Sequence, residues 1–255
     1  MFCAFLWLIK KTMNDGITTW LIGIAAGLIA GLAKTGLPGC GILAVPLVAM
    51  IFPAKLSVGA LLPLLIAGDV CAVIFYHSHA QWKKLLELFP CVLGGIALGA
   101  LVLWKIDSAQ LKPLLGVLIL ALLCLEIARQ RCNWNDFPHR PWFVILMGSL
   151  AGFATTLGNV AGPIMNIYFI SKGFKKNEFM GTAAWYFLIF NCVKIPIYAG
   201  LGMINPATLK FDLFIIPVVL AGAFVGRLLL GLVPQRAFNF IVLFLAAAAA
   251  VRLLF

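Results

Sequence analysis

Long apolar runs alternate with short polar connectors along the whole chain. The runs cover residues 18–33, 56–76, 85–104, 111–125, 141–157, 179–201, 213–233 and 238–255. A helix that crosses a bilayer needs about 20 mainly apolar residues, and several runs reach that length. The connectors between them are too short to fold into a domain outside the bilayer. The pattern therefore predicts an all-α integral membrane protein with about eight to ten membrane segments.

Composition and charge strengthen this interpretation. Hydrophobic residues make up 64% of the 255 residues and charged residues 11%, and the mean hydropathy is +1.09. An average soluble domain is about 25% charged. This chain therefore has too few polar side chains to cover a surface that faces water, and the lipid bilayer is its expected partner. The net charge of +11 falls mostly on connectors, where lysine and arginine face headgroups. No folded basic surface is left over, so we expect no nucleic-acid partner.

The sequence lacks the residue patterns of a metal site or an enzyme. Its seven cysteines show no CxxC spacing and lie mostly inside apolar runs, where a thiol behaves as a small hydrophobe. His77 and His79 fit a solvated loop at headgroup level. There is no GxSxG or HExxH motif and no pair of acidic residues, which catalysis by a nucleophile or a metal would need. We therefore predict no cofactor and no enzymatic activity.

The two halves of the chain resemble each other. At a shift of about 121 residues, a set of small residues aligns, namely Gly27, Ala30, Gly31, Ala33, Thr35 and Gly41 with Gly148, Ala151, Gly152, Ala154, Thr156 and Gly162. Residues 90–103 align with 217–230 at a shift of about 127. We therefore predict an N-terminal transmembrane repeat over 1–128, a polar basic linker over 129–140 and a C-terminal transmembrane repeat over 141–255.

Each predicted repeat begins with a glycine-rich segment that interrupts an apolar stretch. Residues 18–52 as one helix would run about 50 Å, too long for a hydrocarbon core of about 30 Å. Proline and glycine in 36–41 (GLPGCG) favour a broken or re-entrant segment there, and 157–163 (LGNVAGP) is its counterpart. A reversal at each break gives repeats of inverted topology, which we favour, whereas a simple kink gives parallel repeats.

Repeats with matching breaks are typical of secondary transporters, in which substrates bind where half-helices end. Such ends leave backbone N–H groups without partners, and these groups attract an anion. The candidate residues at the two breaks are Gly36, Gly39, Cys40, Gly41, Asn159 and Gly162. The alternative is that these small residues only allow helices to pack closely.

Polar and ionisable residues inside the apolar runs are the second group of candidates, because such residues are costly at membrane depth and usually functional there. Asp69 lies within 56–76, while Asn191, Lys194 and Tyr198 share one helix face within 179–201. Lys34 adjoins the first break. The alternative roles are a structural ion pair or hydrogen bond and, for Lys34, snorkelling to the interface.

The segment 27–48 (GLIAGLAKTGLPGCGILAVPLV), the following 58–60 (VGA) and the second copy 148–164 resemble the TauE/SafE family. Its members are small bacterial membrane proteins described as sulfite and organosulfonate exporters or permeases. The resemblance covers essentially the whole chain, although 38–41 (PGCG) replaces the tighter glycine run that is usual in the family. It implies that the substrate is sulfite, a sulfonate or a related small anion, and that the chain crosses the bacterial inner membrane several times.

We therefore predict a permease or exporter that moves a small anion by alternating access at the interface of two repeats. A passive anion channel and an accessory membrane subunit are the alternatives. The sequence leaves open the exact substrate, import or export, a coupling ion (a proton or another) and a homo-oligomer.

Overall fold

The computed structural model describes residues 16–37, 39–131, 141–229 and 251, and every regular element in these ranges is helical. The α-helices are α1 (Gly16–Thr35), α2 (Ala44–Ile51), α3 (Ala54–Tyr76), α4 (Trp82–Lys105), α5 (Ser108–Arg131), α6 (Pro141–Gly158), α7 (Gly162–Ser171), α8 (Lys176–Gly200) and α9 (Pro206–Leu229). Short 3-10 helices cover Cys40–Leu43 and His77–His79. Most of the predicted linker, residues 132–140, lies outside the described residues, as do 1–15, Pro38, 230–250 and 252–255.

Seven of the described helices, all except α2 and α7, are long and apolar enough to cross a bilayer. Their outward faces carry large apolar side chains, among them Ile17, Trp104 and Leu213, each at least 69% exposed. Contiguous apolar surface of this kind suits lipid better than water. The structure therefore confirms an all-α fold with several helices that can span a membrane.

The first helix interruption separates α1 from α2. The N–H groups of Gly36 and Leu37 both donate to the carbonyl oxygen of Leu32, at 3.0 and 2.9 Å, which closes the end of α1. Gly39 then takes a left-handed conformation with φ of 105°. A side chain with a Cβ is strained at this angle, whereas glycine is not. The glycine thus lets the chain turn into the short helical segment Cys40–Ile51.

The second interruption separates α6 from α7. Asn159 follows the end of α6 with φ of 58°, in the left-handed region that asparagine tolerates better than most residues. Its N–H donates to the carbonyl oxygen of Thr155 at 2.9 Å. Pro163 stands in the first turn of α7, where proline's missing N–H has no helical partner to lose. Both interruptions fall where glycine, proline and asparagine cluster in the sequence.

Glycines bring two pairs of helices into close contact. A Cβ on Gly31 of α1 would collide with the carbonyl oxygen of Val219 in α9, and a Cβ on Gly36 would collide with that of Gly226. Because the residue numbers rise together, α1 runs parallel to α9. The same relation holds for α6 and α4, in which the contacts are Gly148 with Cys91 and Gly152 with Val92.

The central helices α3 and α8 pack against each other in opposite directions. Near one end of the pair, Gly59 meets the carbonyl oxygen of Met203, which follows α8. Near the other end, Gly181 meets the carbonyl oxygen of Tyr76. Between these contacts the polar side chains of the two helices meet, so α3 and α8 together carry the polar interior of the molecule.

Candidate functional site

A cavity of about 60 Å³ lies between the two helix interruptions. Its polar wall consists of Lys34, Asp69, Asn159 and Asn166, together with the glycines Gly39, Gly41 and Gly162. Apolar side chains such as Ile42 and Phe187 complete the wall. One water molecule needs roughly 10–15 Å³ by the same measure, so the cavity has room for a small ion of a few heavy atoms.

Lys34 places an ammonium group at the cavity wall. It stands in the last turn of α1, and its Nζ lies 2.8 Å from Oδ1 of Asp69. The same Nζ lies 4.0 Å from the ring centre of Phe187. A carboxylate and an aromatic face both stabilise a cation, so Lys34 is held as a cation within reach of the cavity.

Asp69 connects the first helix with both central helices. It lies in α3 with 0% exposure, and its Oδ2 accepts a 2.6 Å hydrogen bond from Nδ2 of Asn191 in α8. Asn191 does not line the cavity but lies behind Asp69 and fixes the carboxylate. A buried carboxylate needs such partners, because leaving it unpaired in an apolar interior is very costly.

Lys194 reaches the cavity only through a neighbour. Its side chain is 0% exposed, and its Nζ donates to Oδ1 of Asn159 at 2.6 Å, to Oγ1 of Thr155 at 2.9 Å and to the carbonyl oxygen of Thr155 at 3.1 Å. Asn159 in turn donates from Nδ2 to the carbonyl oxygen of Val58 at 2.9 Å. Lys194 therefore orients the asparagine that lines the cavity and does not line it itself.

Two tyrosines bond the ends of the interrupted helices. The hydroxyl of Tyr198 donates to the carbonyl oxygen of Thr156 at 2.7 Å, and the hydroxyl of Tyr76 donates to that of Thr35 at 2.9 Å. The last carbonyl groups of a helix have no partner within it. The tyrosines supply that partner, so Tyr198 supports the second break from outside the cavity.

The glycine-rich candidates divide into two groups. Gly39, Gly41 and Gly162 line the cavity, and Gly162 is the first residue of α7, where backbone N–H groups have no partner inside the helix. Gly36 instead packs against Gly226. Cys40 is 4% exposed, and its Sγ lies 3.7 Å from the carbonyl oxygen of Ile29. The candidates thus divide between positions on the cavity wall and positions in the packing of helices.

A comparison with protein families adds the decisive observation. Residues 21–253 match the family described as the sulfite exporter TauE/SafE, so the match spans nearly the whole chain. The chain belongs to the TauE/SafE family. No curated protein and no solved structure matches it.

Membership in the TauE/SafE family confirms the resemblance that the glycine-rich segments indicated. Together with the seven membrane-capable helices, it identifies a multi-pass membrane protein of a transporter family. Both helix interruptions and the whole wall of the cavity lie inside the matched residues.

Several residues around the cavity were not predicted from the sequence. Asn166 projects a polar side chain into the cavity from the apolar helix α7, and a single asparagine in an apolar stretch was the available signal. Phe187, which stacks with Lys34, is one of many aromatic residues in the chain and gave no signal. Asp212 in α9 is 1% exposed, neither of its carboxyl oxygens has a hydrogen-bond partner among the described residues, and it does not line the cavity.

Proposed function

We propose that this protein transports a small anion, namely sulfite, a sulfonate or a related sulfur compound, across the bacterial inner membrane by alternating access. The family description supports the substrate class. The observation that carries the proposal is the convergence of two lysines on one cavity, the partly buried Lys34 at its wall and the fully buried Lys194 behind Asn159. Cations at membrane depth are costly and mark ion pathways.

Lys194 needs an anion more than Lys34 does. Lys34 has Asp69 beside it, whereas the three acceptors of Lys194 belong to the neutral residues Thr155 and Asn159. A buried charge without a nearby counter-ion is strongly unfavourable. An anion in the cavity would compensate this charge from the far side of Asn159, and Lys34, Asn166 and the first N–H of α7 would hold it.

Reciprocal packing supports two structural repeats. The contact of Gly31 with Val219 has its counterpart in the contact of Gly152 with Val92, at the shifts of about 121 and 127 residues found in the sequence. The first helix of each proposed repeat therefore packs against α4 or α9 of the other repeat. The hydrogen bonds of the two tyrosines at the helix ends are related in a similar way: Tyr76 with Thr35 matches Tyr198 with Thr156, at shifts of 122 and 121 residues.

Helix directions support inverted topology. The central helices α3 and α8 of the two proposed repeats are antiparallel neighbours, and a twofold axis that exchanges antiparallel neighbours is perpendicular to both. If these helices cross the bilayer, the axis lies in the membrane plane. Repeats related in this way are a common basis of alternating access, with the substrate bound near the axis.

Contacts between α3 and α9 support a re-entrant first segment. Phe52, just before α3, packs on Phe211 with ring centres 5.3 Å apart, and Arg227 lies 4.4 Å from the ring centre of Phe75 near the end of α3. Helix α3 therefore runs parallel to α9, and so to α1. The residues between α1 and α3 must then return the chain toward the side where α1 began.

Counterflow in proteoliposomes tests the proposal. Vesicles that contain the purified protein and a high internal sulfite concentration should transiently accumulate labelled sulfite from a dilute external pool. Lys34→Gln should lower the rate at least tenfold, because it removes the cation at the wall, whereas the exposed control Lys83→Gln should retain it. Flux without counterflow would favour a channel. Absence of flux for sulfite and for sulfonates would favour an accessory subunit.

A further inference from the structure

Three ionisable side chains lie at the cavity wall or directly behind it. Lys34 and Asp69 line it, and Lys194 lies one hydrogen bond behind it. The three acceptors around Nζ of Lys194 match the three donors of an ammonium group. When all three groups are ionised, two lysines and one aspartate sum to a net charge of +1 around the cavity.

Other charged groups near these helices do not change this sum. Arg227 of α9 is exposed and lies over the ring of Phe75, outside the cavity wall. Asp212 is also on α9 and, unlike Lys194, neither lines the cavity nor hydrogen-bonds to a described residue of its wall. Among the described residues, Lys34 and Asp69 are therefore the charged side chains of the wall itself.

A single negative charge completes this arrangement. Interactions between charges a few ångströms apart are far stronger in a protein interior than in water, so net charge governs which ion is stable there. A monovalent anion brings the sum to zero. A divalent anion leaves one negative charge in excess. Its second charge is also repelled by the carboxylate of Asp69, which lies 2.8 Å from Nζ of Lys34.

We propose that Asp69 makes this site selective for monovalent anions, such as sulfonates and hydrogen sulfite, over divalent anions such as sulfate. This inference rests on the proposed function, since it assigns the charge of the transported ion. Asp69 acts as a selectivity residue in two ways. It cancels one of the two lysine charges, and it repels a second negative charge on the ligand.

Two anions of nearly equal size test the charge rule. Methanesulfonate and sulfate are both tetrahedral, and near neutral pH they carry one and two negative charges. In the counterflow assay, we expect methanesulfonate to compete at a concentration at least tenfold lower than sulfate does.

Asp69→Asn keeps the side-chain shape and should reduce this ratio at least tenfold by admitting sulfate. The double variant Lys34→Gln/Asp69→Asn returns the sum to +1 and should restore part of the preference.

Asp212→Asn is the matched control, because it makes the same carboxyl-to-amide change at another buried position, outside the cavity. It should leave the ratio unchanged.

Methylphosphonate gives a test on the wild-type protein alone, since it has the shape of methanesulfonate but gains a second charge above neutral pH. As pH rises, the concentration of methylphosphonate needed to compete should increase at least tenfold more than that of methanesulfonate.

The outcomes separate the two proposals. Equal competition by methanesulfonate and sulfate, or a preference that survives Asp69→Asn undiminished, would overturn the charge rule while leaving anion transport intact. Competition by methylphosphonate that does not change with pH would overturn it as well, whether or not the variants fold. Absence of transport for every anion would instead overturn the proposed function.

Discussion

Asn191 donates a 2.6 Å hydrogen bond to the carboxylate of Asp69, the residue 122 positions before it in the chain. Gly59 and Gly181 are separated by the same interval and pack near opposite ends of the same helix pair. Equivalent residues can touch each other only close to the axis that relates them. The proposed twofold axis therefore passes between Asp69 and Asn191, beside the wall of the cavity.

The bond between these two residues should contribute measurably to stability. Asn191→Leu removes the donor and leaves Oδ2 of Asp69 buried without a hydrogen-bond partner, which typically costs about 1–3 kcal/mol. We expect a lower midpoint of unfolding in detergent and a lower transport rate. Asn177→Leu at an exposed position of α8 is the control. Equal unfolding midpoints for the two variants would show that the buried bond contributes little.

The tyrosines at the helix ends should contribute equally. Tyr76→Phe and Tyr198→Phe each remove a hydroxyl that donates to the end of an interrupted helix, and each should lower stability by about 0.5–1.5 kcal/mol. Tyr168→Phe should be neutral or stabilising, because that buried hydroxyl has no hydrogen-bond partner in the described part of the chain. Denaturant unfolding of the three variants measures the difference. A loss in Tyr168→Phe as large as in the other two would contradict this assignment.

Close packing at the glycines should be sensitive to one methyl group. Gly31→Ala and Gly152→Ala would drive a Cβ into the backbone of α9 and α4 respectively, at a cost of about 1–3 kcal/mol. Gly94→Ala makes the same change in helix α4 where the Cβ meets open space, so better helix propensity should make it neutral or slightly stabilising. Thermal unfolding of the purified variants checks the contrast, and a uniform effect at all three positions would be evidence against it.

Lys194 should affect anion binding although it does not touch the cavity. Lys194→Met removes one positive charge and releases Asn159 from its 2.6 Å bond. We expect the stabilisation that methanesulfonate gives to thermal unfolding to fall, as for a loss in affinity of at least tenfold, about 1.4 kcal/mol. The control is Lys172→Met, at a lysine outside the cavity wall. Undiminished stabilisation by the anion in Lys194→Met would remove this residue from the site.

The sequence was sufficient for the helices and for the position of the interruptions. Spanning helices follow from run length, and the turn at Gly39 follows from the need for a positive φ. It also singled out Lys34 and Asp69, both of which line the cavity, because a charge inside an apolar run is costly. These inferences depend on local chemistry, which a sequence displays directly.

The order of side chains around the cavity could not be predicted in the same way. Helical periodicity placed Asn191, Lys194 and Tyr198 on one face, but the structure puts all three behind the wall, where they bond to Asp69, Asn159 and the end of α6. Helical spacing predicts which side chains share a face, whereas the position of a side chain relative to the cavity depends on how the neighbouring helix packs. Phe187 was missed for the same reason.

The two interruptions differ in the residue that carries the cation. In the first, Lys34 of α1 reaches across to Asp69 of α3. In the second, the position 121 residues after Lys34 is Thr155, and Lys194 of α8 reaches back to it. Each half thus has a lysine that connects its first helix to its central helix. In the first half this lysine lies on the first helix, whereas in the second half it lies on the central helix. If the proposed repeats exchange conformations symmetrically, the anion would be held with unequal strength at the two faces of the membrane, and release toward one face would be easier.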